Sequence, residues 1–157
     1  MSTLQEKVED FLAQKRIAVT GVSREGKSAA NLIYQKLQDS GHKVYPINPN
    51  TTTYNGSPCY AHVSDIPGGV DAVMIVNRPS VSDAIVHECA DAGIKRVWLH
   101  RALHSMGASF DPQTVEFAEG RGMSVIAGGC PMMFAQPVDF GHKCMKWIVG
   151  MMGQMPK

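Results

Sequence analysis

The sequence has no cluster of Lys and Arg, no apolar run long enough to span a bilayer and no Cys-x-x-Cys pair. Each absence removes a class of function. Binding to a phosphate backbone requires a concentrated basic surface. Here 15 Lys and Arg are scattered against 14 Asp and Glu, for a net charge of +1, so nucleic acid is not the expected partner. The longest apolar stretches, such as Val70 to Val76, are far shorter than the roughly 20 residues a membrane helix needs. The start, Met1 to Glu9, is polar and acidic, unlike a secretory leader. Cys59, Cys89, Cys130 and Cys144 are widely separated, which fits reduced thiols in the cytoplasm better than a disulfide frame or zinc knuckle. Hydrophobic residues make up 44% and charged residues 18% of 157 positions, the composition of a globular chain with one core.

What is present is an alternation of short β-rich runs with longer amphipathic stretches. Leu4 to Ala13 reads as a lead-in helix, with Leu4, Val8, Phe11 and Leu12 at helical spacing. Strands are expected at Arg16 to Gly21, Val44 to Ile47, Asp71 to Val76, Val97 to Leu99 and Met123 to Ala127. Helices are expected at Ala29 to Gln38, Val81 to Ala92 and Pro112 to Glu119. The strands are almost continuously apolar, as parallel strands covered on both faces must be. The pattern predicts a three-layer α/β, Rossmann-like, doubly wound parallel five-stranded sheet. In such a sheet ligands bind beyond the carboxyl ends of the strands, where the strand order reverses. Residues 1–157 are read as one domain, with its core at about 15–130 and an extension over 131–157. In that extension Met145, Ile148, Val149 and Met152 recur at helical spacing. They predict a helical tail packed on the body or on the second copy of a homodimer.

The turn after the first strand, Gly21-Val22-Ser23-Arg24-Glu25-Gly26-Lys27-Ser28, matches the phosphate-loop pattern G-x-x-x-x-G-K-[ST] letter for letter. A glycine-containing turn leading into a helix N-terminus suits an anion, and Lys27 and Arg24 add charge. A triphosphatase also needs a strand-end carboxylate to organise magnesium. The strands here run into Asn48, Asn77-Arg78, His100 and Gly128, so that chemistry has no acidic partner. A nicotinamide site needs G-x-G-x-x-G in the first turn and an acidic residue after the second strand. The chain has Gly21-Val22-Ser23 and Asn48-Pro49-Asn50, and neither matches.

The string Ile17 to Ser23, the Ser28-Ala29 helix start and Val44 to Asn50 resemble the stand-alone CoA-binding proteins. These are similar to the N-terminal domain of the succinyl-CoA synthetase α-subunit. Ser64 to Pro67, Val70 to Val73 and Val97 to Leu99 follow in the order that family shows, and the resemblance covers about Lys15 to Cys130. It implies coenzyme A, free or acylated, as the cofactor. Gly21, Val22, Ser23 and Ser28 would lie at the phosphates, Asn48 and Pro49 near the nucleoside, and Val76, Arg78 and Pro79 along the ligand. The family usually has Gln-x-Gly after the fourth strand, where this chain has His100-Arg101-Ala102, which makes His100 a further candidate contact.

The synthetases add a domain with a phosphorylated histidine and a partner subunit, for which 157 residues leave no room. The expectation is therefore a binding module, against the alternatives of an enzyme acting on a CoA thioester or a phosphate-loop nucleotide hydrolase. No catalytic or metal-binding residue is assigned. His100, Arg101 and His104 are read as surface residues, because no Ser or Cys nucleophile is tied to them. Cys130 is read as a small buried residue, and His142 with Cys144 gives only two potential ligands.

Overall fold

The computed structural model describes residues 2–101 and 109–134. The expected tail helix, His104, His142 and Cys144 lie outside these residues. Helix α1 (Leu4–Leu12) opens on a capping box: the Glu6 N–H donates to Thr3 Oγ1 at 3.2 Å, and the Thr3 N–H donates to Glu6 Oε2 at 2.6 Å. Strand β1 (Arg16–Thr20) leads to α2 (Ala29–Asp39) and then to β2 (Lys43–Ile47). A small hairpin follows, β3 (Thr53–Tyr54) and β4 (Ser57–Pro58), then a 3-10 turn at Val63–Asp65. The second half runs β5 (Ala72–Ile75), α3 (Pro79–Asp91), β6 (Arg96–Leu99), α4 (Pro112–Gly120) and β7 (Ser124–Ala127), with a 3-10 turn at Pro131–Met133.

The main sheet is wholly parallel, in the order β2-β1-β5-β6-β7. Counting only its own five strands this is 2-1-3-4-5, so the order reverses between β1 and β5. The expected five-strand, doubly wound, three-layer architecture is the one observed. Alternate residues of each strand feed opposite cores. Ile17, Val19, Met74, Trp98 and Ile126 pack with Phe11 of α1 and Ile33, Tyr34 and Leu37 of α2. Ala18, Val73, Ile75, Val97, Leu99 and Val125 pack with Val86 and Cys89 of α3 and Ala118 of α4.

Trp98 is completely buried. Its indole N–H donates to the Gly128 carbonyl at 2.9 Å, and its ring lies edge-on to Phe11 with centroids 5.3 Å apart. Arg96 pairs with Asp10 at 2.6 Å, and Lys7 Nζ donates to the Val125 carbonyl at 3.1 Å. Both contacts fix α1 across β6 and β7.

Two departures from the sequence reading have local causes. Helix α3 begins at Pro79 rather than Val81, because Arg78 is extended (ψ 154) and Pro79 takes the first helical turn, where its missing N–H costs nothing. The β3–β4 hairpin was not expected. It closes through Asn55 (φ 46) and Gly56 (φ 75), the two left-handed positions of a tight hairpin turn. Beyond it, the Tyr60 N–H donates to the Pro46 carbonyl at 3.0 Å and the Asn48 N–H donates to the Tyr60 carbonyl at 2.9 Å. The segment after β2 therefore covers the outer edge of that strand.

Candidate functional site

A cleft of about 740 Å³ opens where the strand order reverses, at the carboxyl ends of β1, β2 and β5. That volume is in the usual range for small-molecule sites, and the switch point is where this fold binds ligands. One end is polar, formed by Thr20, Gly21, Val22, Asn48, Asn77 and Arg78. The other is largely apolar, formed by Ala61 and Val63 on one side and by Val81, Ala84 and Ile85 of α3 on the other. Residues 81, 84, 85 and 88 share one face of α3, so a single helix wall runs about 10 Å from the strand tips to Glu88. Glu88 Oε1 accepts both the N–H and the hydroxyl of Ser64 at 2.9 Å, and Oε2 lies 3.5 Å from His62 Nδ1.

The first turn is braced from within. Asn31, on the first turn of α2, accepts the Ser23 N–H on Oδ1 at 2.8 Å and donates through Nδ2 to the carbonyls of Ser23 and Gly26, each at 2.9 Å. Ser28 is the N-cap of α2, its hydroxyl oxygen accepting the Asn31 N–H at 3.2 Å. The Ser23 hydroxyl donates to the Glu25 carbonyl at 3.0 Å and accepts the Glu25 N–H at 3.2 Å. Gly21 has φ +81, and a Cβ there would run into the Val76 carbonyl oxygen and lie 3.3 Å from Asn77 Oδ1. Glycine is thus demanded by the close passage of the segment that follows β5.

Of the residues expected at the site, the cleft brings together Gly21, Val22, Asn48, Pro49 and Arg78. Ser23, Arg24, Lys27, Ser28, Val76, Pro79 and His100 do not line it; Arg24 and Lys27 are exposed on the turn. Asn48 has a structural role the sequence did not reveal. Its Nδ2 donates to the Val22 carbonyl at 2.7 Å, while its Oδ1 accepts the Asn50 N–H at 2.8 Å, so one amide ties the β1 turn to the β2 loop.

His100 is a correction. It was expected at the surface and is 5% exposed. Burial lowers its pKa to about 4, and Nε2 has no hydrogen-bond partner among the described residues. The side chain is therefore a neutral imidazole at physiological pH. Burial pushes the Cys130 thiol up to about 11 and the Cys89 thiol up to about 12, which suppresses thiolate at either. Among the described residues no group of three His, Cys, Asp or Glu side chains could hold a metal ion, and no helix is long and apolar enough to cross a membrane.

The residues missed by the sequence reading are Thr20, Ile47, Asn50, Ala61, His62, Val63, Asn77, Val81, Ala84, Ile85 and Glu88. The α3 residues carry the only usable signal. Val81, Ala84, Ile85 and Glu88 recur at helical spacing behind the strand that borders the switch point.

A family model described as a CoA binding domain matches residues 15–136. The α subunit of acetate–CoA ligase (ADP-forming) II of Pyrococcus furiosus is 31% identical over 126 residues, covering 76% of this chain and 27% of that protein. Acetate–CoA ligase (ADP-forming) II of Archaeoglobus fulgidus is 30% identical over 125 residues, covering 75% of this chain and 18% of that protein. The chain spans roughly a quarter or less of these relatives. Among solved structures, a hypothetical protein from Pyrococcus horikoshii superposes with a TM-score of 0.75 at 26% identity, covering 83% of this chain and 89% of the other.

Proposed function

The chain belongs to the CoA-binding domain family, and on that premise we propose that the switch-point cleft holds coenzyme A or an acyl-CoA and that the module does no chemistry by itself. The observation that carries this reading is the cleft's division into a polar end at the strand tips and an apolar wall along α3. The pyrophosphate lies at the polar end, against Gly21, Val22, Asn77 and Arg78, with Arg78 the one guanidinium among the lining residues. The adenosine lies between Pro49 and the Val63, Val81, Ala84 and Ile85 surface, which offers the apolar contact a purine face needs. Arg24 and Lys27 add long-range attraction from the turn beside it, rather than direct contacts.

Absence of chemistry is supported by the lining. His62, Arg78 and Glu88 are its side chains able to carry charge, and Glu88 is already engaged by Ser64 and His62. No Ser or Cys stands among the lining residues to act as a nucleophile. Reduced, buried Cys59, Cys89 and Cys130 support a cytoplasmic setting.

The relatives named as acetate–CoA ligases favour a second reading, in which the chain is one part of a CoA-ligating assembly. Calorimetry with CoA, dephospho-CoA and NAD tests the first claim: CoA should give heat and NAD should not, and the reverse result overturns it. Turnover with acetate, CoA and magnesium ATP tests the second, since a steady rate from the chain alone would overturn the non-catalytic reading.

A further inference from the structure

The tips of β1 and β5 are joined by a hydrogen-bond chain whose polarity is fixed. Thr20 is 1% exposed, and its Oγ1 accepts the Val76 N–H at 3.3 Å. Its one hydroxyl hydrogen goes to the Asn77 side chain. A hydroxyl hydrogen needs an acceptor, so the Asn77 atom receiving it is the carbonyl oxygen and the NH2 is turned away from Thr20. Asn77 lines the polar end of the cleft beside Gly21 and Arg78, and its NH2 is the side-chain group that Thr20 does not engage.

We propose that Asn77, oriented by Thr20, is the residue that makes this cleft select a diphosphate carrying no divalent metal. The assignment rests on the CoA reading of the cleft and names how that site tells CoA from a magnesium nucleotide. Sites for magnesium nucleotides place a carboxylate at a strand end, and the cation bridges it to the phosphates. Asn77 stands at the end of β5 with the same shape and one atom changed, an NH2 in place of an anionic oxygen. An NH2 donates to a bare phosphate oxygen and has nothing to offer a hard cation. A carboxylate would repel the bare phosphate until a cation intervened.

The test compares Asn77→Asp and Asn77→Ala with the wild-type chain by calorimetry with CoA, with and without magnesium, and with melting temperature as the control for folding. Asn77→Asp keeps the acceptor for Thr20, so it should fold normally. Without magnesium it should bind CoA about a hundredfold more weakly, from the lost donor and the added repulsion, and Asn77→Ala about tenfold more weakly. Magnesium should recover part of the Asn77→Asp loss and none of the Asn77→Ala loss. Thr20→Ser should bind like the wild type, while Thr20→Val, which frees the Asn77 amide to turn, should lose about fivefold. Asn77→Asp binding within about threefold of wild type, or losing no more than Asn77→Ala and ignoring magnesium, would overturn the assignment. A wild-type chain that gives no heat with CoA overturns the underlying CoA reading, an outcome visible before any variant is made.

Discussion

His100 should make the fold acid-sensitive by an amount its burial sets. Folded, its pKa is about 4; unfolded, it takes the ordinary value of 6.5. The folded state therefore binds fewer protons, so the full stability is present above pH 6.5 and is lost as the pH falls toward 4. Within that window each pH unit costs about 1.4 kcal/mol, which amounts to about 2 kcal/mol at pH 5 and about 3 kcal/mol near pH 4. His100→Leu removes the proton site and puts an apolar side chain in the place of the buried ring. Because Nε2 has no partner among the described residues, little is lost at neutral pH. Melting temperatures of both proteins from pH 7.5 down to about 5 isolate the term, since every other titrating group cancels in the difference. The wild type should fall about 4–8 °C further than the variant between about pH 7 and pH 5. Parallel curves would refute the argument and mean that the imidazole reaches water or a partner.

Gly21→Ala should destabilise the fold by about 3 kcal/mol, from a left-handed φ of +81 and a Cβ driven into the Val76 carbonyl, and urea midpoints would show it. Lost CoA binding in that variant would then accompany lost stability, and a native-like midpoint would contradict the close approach. Arg78→Ala should weaken CoA by about 1–3 kcal/mol, the worth of a charge-assisted contact, while Lys27→Ala should change it by under about 0.5 kcal/mol. The reverse order in calorimetry would move the phosphates from Arg78 to the exposed Arg24–Lys27 part of the turn.

The sheet was legible because each parallel strand, covered twice, is a short continuous apolar run, and Ala72–Ile75 is buried at every position. The β3–β4 hairpin was not, although Asn55-Gly56 is a strong turn signal, because strands of two residues carry no periodicity to read. Among the residues lining the cleft, Gly21 stood out through turn chemistry, and Asn48, Pro49 and Arg78 only through the family resemblance. The α3 wall did not, since Val81, Ala84 and Ile85 look like any amphipathic stripe, and only the strand order turns that stripe toward a cleft. The brace from Asn31 and the burial of His100 arise from contacts between segments, which the local pattern around either residue does not contain. Lys27 drew notice through a pattern match of eight letters, which carries no information on whether the exposed turn faces the cleft.

The single amide of Asn48, bonded on one side to the β1 turn and on the other to its own loop, means that two walls of the cleft are one mechanical part before any ligand arrives. A ligand entering such a site has little loop ordering left to do, so more of its contact energy appears as affinity. The same economy makes the two properties inseparable. Substitutions at Asn48 that loosen the loop should reduce stability and affinity together, and selection for tighter binding at this position would also be selection for a firmer fold.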